Sequence, residues 1–460
     1  MDGPQHRPIS RRRVLQLGAV AVPSALLAAC IEPSPSASPP ASATASATPS
    51  PSATATPAPT PTATPPATGS FLYRDAALAD GRSATLRRGV SVLVDGGVIR
   101  WIRPVDGEED PGDAEVIDAS GATIVPGMVD SHSHVTGPGG ARWLDRFTDA
   151  PERLVEYAEE NGRLAWNAGI RWLRDVGSPV VDDPQDGRHR ALAIGVRDRW
   201  RGRTQYPAIR AAGTWMTRPG VLPGGVGVEA RNGDELASLA IGQLDDGADL
   251  VKVYFDSGDP SRSAWTLSEV RRVTDAVHAR GAKVAAHVGR LAGVRVAVAG
   301  GVDSVEHGNQ LDADVAREMA AKGTVLVTTL TVLRSFLTFG RTTRISTFAG
   351  SGRMAAYAEQ LEAVEASVRI ARDAGVTIAA GTDFGGGSSR ANQLAWEVES
   401  LVAAGLEPVA ALAAATWRGG ELLGEPDAGT VREGGPADFF LVHGDPLSDP
   451  AALWRVWRHA

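Results

Sequence analysis

Six potential metal-ligand or proton-transfer residues stand at or near the carboxyl ends of apolar runs. In chain order they are His132, His134, Lys252, His287, His307 and Asp383. The strands of a β/α barrel all end at one face, where such folds carry their catalytic groups. Imidazole and carboxylate groups suit zinc, and two ions that share a hydroxide suit hydrolysis. The set therefore predicts a barrel with a two-metal hydrolytic centre at its mouth.

The spacing within the apolar runs supports this arrangement. His132 and His134 are two residues apart on a strand, so both point to one face, roughly 6 to 7 Å apart. Lys252 and Tyr254 share a face for the same reason, which favours an inward Lys252 over a salt-bridged lysine outside the barrel. Tyr254 is a catalytic candidate that could donate a hydrogen bond to a substrate carbonyl, or it could simply pack.

Strand-like and helix-like segments alternate from residue 126 to residue 424. Eight strands are predicted at about Gly127–Ser131, Gly169–Asp175, Ala208–Gly213, Leu250–Phe255, Lys283–His287, Ser304–His307, Val325–Thr328 and Thr377–Gly381. A segment between them, 267–281, has apolar residues at helical spacing and ends at Gly281. The predicted fold class is α/β, a (β/α)8 TIM barrel.

Short strands separated by glycine turns flank the predicted barrel on both sides. Examples are Phe71–Arg74, Val90–Val94, Val98–Ile102 and Glu115–Asp118 before it, and the run PADFFLVHGDPL behind it. We expect residues 70–125 and 425–460 to pair into one small β-sandwich domain beside the barrel.

The first 69 residues are predicted to contain an export signal followed by a flexible linker. An arginine cluster at 11–13 precedes a short apolar stretch, which is typical of a twin-arginine export signal over residues 1–29. Leu-Ala-Ala-Cys30 is similar to a lipobox, and Cys30 is the single cysteine of the chain, although a buried structural cysteine is the alternative. Residues 30–69, rich in Ser, Pro, Ala and Thr, predict a disordered linker. We therefore expect an exported protein, lipid-anchored through Cys30 at the cell surface or the periplasmic face of a membrane.

Composition narrows the possible partners. With 460 residues, 43% of them hydrophobic, the chain can bury an ordinary core. The formal net charge is −8 and basic residues cluster at the amino terminus alone, which argues against nucleic acid. A small molecule or a dipeptide is the expected substrate, while the oligomeric state is left open.

Three motifs resemble the amidohydrolase superfamily. PGMVDSHSH is similar to its Pro-Gly-(apolar)2-Asp-x-His-x-His signature, and GVDSVEHGNQLD is similar to a block of its imidazolonepropionase-like and prolidase-like members. GTVREGGPADFFLV resembles the element that closes the small β-domain of that family. Together the motifs extend the resemblance over roughly residues 70–460.

This resemblance implies roles for the six residues. His132, His134 and Asp383 would hold one divalent ion, His287 and His307 the second, and a carboxylated Lys252 would bridge the two, which we expect to be zinc. A buried lysine has a depressed pKa and can form such a carbamate. A metal-bridging hydroxide would attack an amide carbonyl, with Asp383 passing the proton to the leaving nitrogen. Deaminases of the superfamily carry His-x-x-Glu where this chain has His287-Val-Gly-Arg290, so deamination is disfavoured.

The predicted activity is therefore hydrolysis of a carbon–nitrogen bond, with an Xaa-Pro or related dipeptide as the leading substrate. A cyclic amide is the enzymatic alternative, and a non-catalytic surface lipoprotein that binds solutes is the other. Arg142, Arg218 and Arg334 follow barrel strands, so each is either a ligand for a substrate carboxylate or a surface arginine. The glycine-rich loops at 137–140 and 385–387 could admit a substrate close to the backbone or be plain turns.

Overall fold

The computed structural model describes residues 69–460 apart from 223–225 and 347. The predicted export signal at 1–29, Cys30 and the tether up to residue 68 lie outside the described residues. The expectations about export and lipid anchoring therefore stay predictions.

Eight parallel strands form a nearly closed barrel, which confirms the predicted fold class. Around the barrel each strand pairs with the next one in the sequence. The strands span Met128–Ser133, Ile170–Asp175, Ala208–Thr217, Leu250–Tyr254, Lys283–Val288, Ser304–His307, Val325–Thr328 and Ile378–Ala380. The first and last strands meet just beyond their ends, where the Asp383 amide donates to the His132 carbonyl at 2.8 Å and Ser133 pairs with Phe384.

Helices connect the barrel strands and cover their outer face. They span Trp143–Arg146, Pro151–Asn167, Leu192–Trp200, Gly233–Asp245, Leu267–His278, Leu291–Gly300, Ala313–Lys322, Leu330–Thr342, Ser351–Asp373, Leu394–Ala403, Pro408–Ala414 and Trp417–Leu423. The predicted helix at 267–281 ends at His278, and it starts with a capping box between Thr266 and Glu269. Its apolar face is buried because Val270, Val273 and Val277 pack into the barrel's main hydrophobic cluster.

The strands that flank the barrel in sequence form one seven-stranded sheet beside it. These strands are Ser70–Leu78, Arg87–Asp95, Val98–Pro104, Glu115–Asp118, Ala122–Pro126, Phe439–His443 and Val456–His459. Phe439–His443 pairs antiparallel with Ala122–Pro126, which joins the two ends of the described chain in this sheet. Tyr73, Ile124 and Phe439 share its own hydrophobic cluster.

The seven-stranded sheet contacts the barrel at the starts of the first two barrel strands. The Gly127 amide donates to the Asp438 carbonyl at 2.8 Å, and Arg171 forms an ion pair with the Asp438 carboxylate at 3.3 Å. Because the barrel strands are parallel, these contacts lie at the end opposite to the predicted centre. The seven-stranded sheet therefore leaves the carboxyl end of the barrel to the helices and loops.

Three short strands and two 3-10 turns complete the secondary structure of the described residues. Val180–Asp182 and His189–Ala191 form a hairpin, while Val228–Glu229 extends the barrel sheet beside its third strand. The 3-10 turns are Val105–Gly107 and Pro450–Trp454. Among the helices of this part of the chain, none combines the length and the hydrophobicity that a membrane span requires.

Candidate metal centre

The structure brings the six predicted residues together at the carboxyl end of the barrel. One cavity there is lined by His132, His134, Tyr254, His287, His307 and Asp383. Lys252 is 1% exposed and lies deeper. Its neighbours Val251 and Val253 pack in the cluster under the helices, whereas Leu250 packs with residues of the adjacent strands. Because side chains alternate along a strand, Lys252 points into the barrel with Leu250.

His132, His134 and Asp383 form a compact group of three donors. The Oδ1 atom of Asp383 lies 3.6 Å from Nε2 of His132 and 3.3 Å from Nε2 of His134. One ligand atom from each residue falls within 4.8 Å of the other two, and all three residues are buried. The backbone of Asp383 has φ of 52°, in the left-handed region. Such backbone conformations cluster at functional sites, where the surrounding fold holds them.

His287 and His307 form a second pair beside the first group. His307 Nε2 lies 3.0 Å from His287 Nδ1, and the ring centroid of His307 lies 4.7 Å from that of His132. His307 also has a left-handed backbone, with φ of 70°. The side chain of Lys252 is close enough to affect the pKa of His132, His287 and His307. The two groups of ligands therefore share one buried volume.

Burial disfavours the protonated form of His132, His287 and His307, and the neutral imidazole is the form that binds metals. Loss of hydration lowers the pKa of His307 to about 4 and places the pKa values of His132 and His287 well below the usual range. The same effect lowers the pKa of Lys252 to about 8. The Asp383 carboxyl remains anionic because the neighbouring His132 and His134 hold its pKa well below the usual range against the effect of burial.

Two buried nitrogen atoms in this group have no hydrogen-bond partner among the described residues, namely His132 Nε2 and Lys252 Nζ. An unpaired buried polar atom costs free energy, so such atoms call for an explanation. Neutral imidazole nitrogens and a carboxylate are suitable ligands for zinc and similar divalent ions. The residues present therefore fit a divalent metal centre.

Hydrogen bonds behind the ligands fix the orientation of their rings. His132 Nδ1 lies 2.7 Å from the Glu306 carboxylate, and His134 Nδ1 lies 2.7 Å from the Gly177 carbonyl. His307 Nδ1 lies 2.8 Å from the Thr329 hydroxyl. A proton on Nδ1 of His132 and His134 leaves each Nε2 lone pair free for a metal, as in carboxylate–histidine–metal triads.

Glu306 and its partner Arg174 were not among the site residues predicted from the sequence. Arg174 Nη2 donates to Glu306 at 2.6 Å, Nη1 donates to Ser304 Oγ at 3.0 Å, and Nε donates to the Ser131 carbonyl at 2.6 Å. Both residues are buried inside the barrel. A buried carboxylate directly before His307 in the Val-Glu-His run was the available signal, because charged residues rarely occupy a barrel interior without a partner.

Tyr254 lies against the second histidine pair. Its ring stacks on His287 with centroids 3.9 Å apart and an angle of 13° between the planes. Burial raises the pKa of its phenol above the ordinary value, so the hydroxyl keeps its proton. Tyr254 therefore packs against His287 in the cavity wall, and its role as a hydrogen-bond donor to a substrate stays a prediction.

The two glycine-rich loops pack against each other beside the centre. A Cβ on Gly137 would lie 2.3 Å from the Gly385 carbonyl oxygen, and a Cβ on Gly386 would lie 1.9 Å from the His134 ring. These distances leave no space for a side chain at either position. The glycines thus allow the loops to approach the metal-ligand residues closely.

The three arginines considered for a substrate carboxylate do not line the cavity. Arg218 is paired with both oxygens of Glu269 at 2.7 and 2.8 Å and stacks on Trp265. Arg334 is paired with Glu365 at 2.8 Å. The structure therefore favours the alternative of a surface arginine over a carboxylate ligand for Arg218 and Arg334, and Arg142 likewise lies outside the cavity lining. Strand order gave their approximate position, whereas the direction of each long side chain depends on partners that are distant in sequence.

The cavity above the centre has a volume of about 200 Å³ and is largely apolar. Its wall includes Trp143, Phe147, Trp215, Leu333, Phe336 and Tyr357. Pockets with apolar walls and a few convergent polar groups are typical of small-molecule sites. Trp143 and Trp215 thus form part of the site in the folded chain.

Comparison with known proteins identifies the family. The model of the amidohydrolase family matches residues 123–457, which is most of the chain. The chain belongs to the amidohydrolase family. The matched residues include the whole metal-ligand set. This amidohydrolase is therefore a hydrolytic enzyme of a family that typically uses divalent metal ions.

Two relatives and one solved structure illustrate the similarity of this amidohydrolase to other proteins. An uncharacterized protein of Mycobacterium tuberculosis is 30% identical over 346 residues, covering 72% of this chain and 82% of its own. Ochratoxinase from Aspergillus niger is 27% identical over 370 residues, covering 73% and 74%. A solved Xaa-Pro dipeptidase with bound methionine has a TM-score of 0.72 at 24% identity, covering 84% of this chain and 97% of that one. At this identity the structural likeness supports the fold alone.

Proposed function

We propose that this amidohydrolase uses two divalent metal ions to hydrolyse the carbon–nitrogen bond of a linear amide. The observation that carries the proposal is the Asp383 carboxylate, held 3.6 and 3.3 Å from the Nε2 atoms of His132 and His134 at the base of an apolar cavity. That group combines metal ligands with a base that faces the substrate space.

The ligand residues divide into two sets. His132, His134 and Asp383 would hold one ion, His287 and His307 would hold the other, and Lys252, carboxylated by carbon dioxide, would provide an anionic ligand to both. The buried, unpartnered Nζ of Lys252 and its lowered pKa support the carbamate, because an uncharged amine is the form that reacts with carbon dioxide. Bound zinc would polarise the substrate carbonyl and favour deprotonation of water.

The protein's own groups would manage the protons. Asp383 is anionic at neutral pH and would accept a proton from the attacking water as the water oxygen bonds to the carbonyl carbon. It would then donate that proton to the nitrogen as the carbon–nitrogen bond breaks, so that acid and amine products balance the water consumed. The protonated phenol of Tyr254 would donate a hydrogen bond to the carbonyl oxygen.

Hydrolysis by the purified, zinc-supplemented full-length protein tests this function. Candidate linear amides are Xaa-Pro dipeptides, suggested by the solved dipeptidase, and amides between two larger groups, suggested by ochratoxinase. Cyclic amides belong in the same panel. We expect release of amine from a linear amide that stops when a chelator removes the metal. Faster opening of cyclic amides would favour the cyclic amidase, and tight ligand binding without any turnover would favour a binding protein.

We also propose that the enzyme is exported and anchored to a membrane by a lipid on Cys30. The arginine cluster, the apolar stretch and the Leu-Ala-Ala-Cys sequence support this location. Expression of the full chain in a bacterium with a twin-arginine system should place the enzyme in the membrane fraction. A Cys30→Ser variant should leave that fraction; equal membrane association of both proteins would contradict the lipid anchor.

A further inference from the structure

One wall of the cavity is a cluster of aromatic rings beside the first histidine group. Trp143 and Phe147 have ring centroids 5.9 Å apart, and Phe147 and Trp215 have centroids 5.3 Å apart, both edge to face. Trp215 also lies 5.4 Å from the ring of His134. A flat, uncharged group would find ring partners here within a few ångströms of the predicted reaction centre.

A second part of the cavity wall comes from the two long helices after the seventh barrel strand. Leu333 and Phe336 belong to the helix Leu330–Thr342, while Tyr357 and Val364 belong to Ser351–Asp373. Phe336 and Tyr357 have ring centroids 5.0 Å apart. Two separate parts of the chain therefore contribute apolar surface to the cavity above the centre, so apolar groups on both sides of a scissile amide can find apolar contacts there.

The charge of the lining is as informative as its shape. Among the described residues, the polar groups that line the cavity outside the metal-ligand set include the neutral Tyr254, Asn309, Thr329, Tyr357 and Gln360, and no lysine or arginine is present. Arg218 and Arg334 are already ion-paired with Glu269 and Glu365.

We propose that the substrate is an uncharged amide with an aromatic or bulky aliphatic group on each side of the scissile bond. Away from the metal-ligand set, the described lining offers no lysine or arginine to a free carboxylate, so burial of that charge against these apolar walls is costly. This inference rests on the proposed function and narrows it: it favours amides between apolar groups over dipeptides with a free carboxyl terminus.

A matched pair of substrates tests the charge requirement. N-Benzoyl-phenylalanine amide and N-benzoyl-phenylalanine share the benzoyl–nitrogen bond and differ in one charge. With the zinc-loaded full-length enzyme, we expect kcat/KM for benzoate release to be about tenfold or more higher for the uncharged compound. Equal rates, or a preference for the carboxylate, would overturn the inference while leaving amide hydrolysis in place.

Binding separates this inference from the proposed function. The Kd of both compounds can be measured by quenching of tryptophan fluorescence, which does not depend on turnover. If no amide is hydrolysed but the uncharged compound binds more tightly, the proposed function fails and the pocket inference stands. If the carboxylate binds as well as the uncharged compound or better, the pocket inference fails.

Two variants sharpen the test. Gln360→Arg places a cation in the lining without enlarging the cavity, and it should raise the relative kcat/KM of the carboxylate compound at least about tenfold. Trp143→Ala should raise KM for the benzoyl compound more than for its acetyl analogue, whereas Trp454→Ala, at a tryptophan 43% exposed and outside the lining, should change neither. An unchanged selectivity in correctly folded Gln360→Arg and Trp143→Ala proteins would contradict the assignment of these walls.

Discussion

Both ends of the barrel bury basic and acidic side chains, but the two ends differ in how completely these groups are paired. At the amino end, Arg171 pairs with Asp438 at 3.3 Å, lies 2.9 Å from His459 Nδ1, donates to the Trp166 carbonyl at 3.0 Å and stacks on the Trp166 ring. At the carboxyl end, His132 Nε2 and Lys252 Nζ are buried and have no hydrogen-bond partner in the part of the chain that the structure describes. Both clusters contain basic and acidic side chains, but partners within the chain complete only the amino-terminal one. Buried polar groups that are fully paired indicate a structural junction, whereas unpaired ones indicate a ligand.

Removal of the proposed base should have the largest effect. Asp383→Asn keeps an oxygen ligand near His132 and His134 but cannot accept a proton, so kcat should fall by about 10⁴-fold. Metal content by elemental analysis should stay at the wild-type level. Activity within a few fold of wild type would show that Asp383 is a ligand without a role in proton transfer.

The amino-terminal cluster should respond in stability and leave metal binding alone. Arg171→Leu leaves Asp438 buried without its cation, and the free energy of unfolding should fall by about 3 kcal/mol. Denaturant titration measures this loss, while the number of ions per folded chain should not change. If this variant lost metal instead of stability, the contrast between the two ends would fail.

Glu306 connects the barrel interior to the metal centre, and its neutralisation should weaken the centre. Glu306→Gln weakens the acceptor for His132 Nδ1, so the affinity for zinc should fall by about 10- to 100-fold. Glu397→Gln is a matched control, because Glu397 is another buried carboxylate that accepts from the Thr328 and Thr331 hydroxyls. If a competition titration showed equal losses of zinc affinity for Glu306→Gln and Glu397→Gln, the cause would be a general loosening of the barrel and not the contact with His132.

The smallest effect concerns pH at the amino-terminal cluster. Burial and the adjacent Arg171 lower the pKa of His459 to about 4, below the ordinary value of 6.5. Between these values the unfolded chain binds more protons, so this histidine's contribution to stability is complete above pH 6.5 and declines as the pH falls towards 4. The stability difference between wild type and His459→Gln should shift in that direction. A difference that does not change with pH would show that His459 keeps its ordinary pKa.

Much of this architecture could be predicted because it is encoded locally. The eight barrel strands follow from apolar runs that end in polar residues, and the pairing of His132 with His134 follows from strand alternation. Helix ends such as the one before Gly281 depend on residues next to them in sequence. Local periodicity therefore fixed the barrel and the approximate position of the site.

The remainder depends on contacts between residues far apart in sequence. Arg171 and Asp438 are separated by 267 positions in the sequence, and no local sequence pattern near either residue predicts their pairing. The directions of Arg218 and Arg334 were likewise determined by Glu269 and Glu365, which removed them from the cavity. The apolar walls of the cavity require the packing of separate helices, so the charge of the substrate could not be inferred before the fold was known.

Metal content tests the central claim most directly. Elemental analysis should find about two ions per chain in the purified, zinc-supplemented protein and one or none in Lys252→Ala. Lys283→Ala is the matched control, because Lys283 Nζ already donates to the Leu422 carbonyl at 2.6 Å, and it should retain both ions. One ion per chain in the wild type, unchanged by Lys252→Ala, would contradict the bridged two-metal centre.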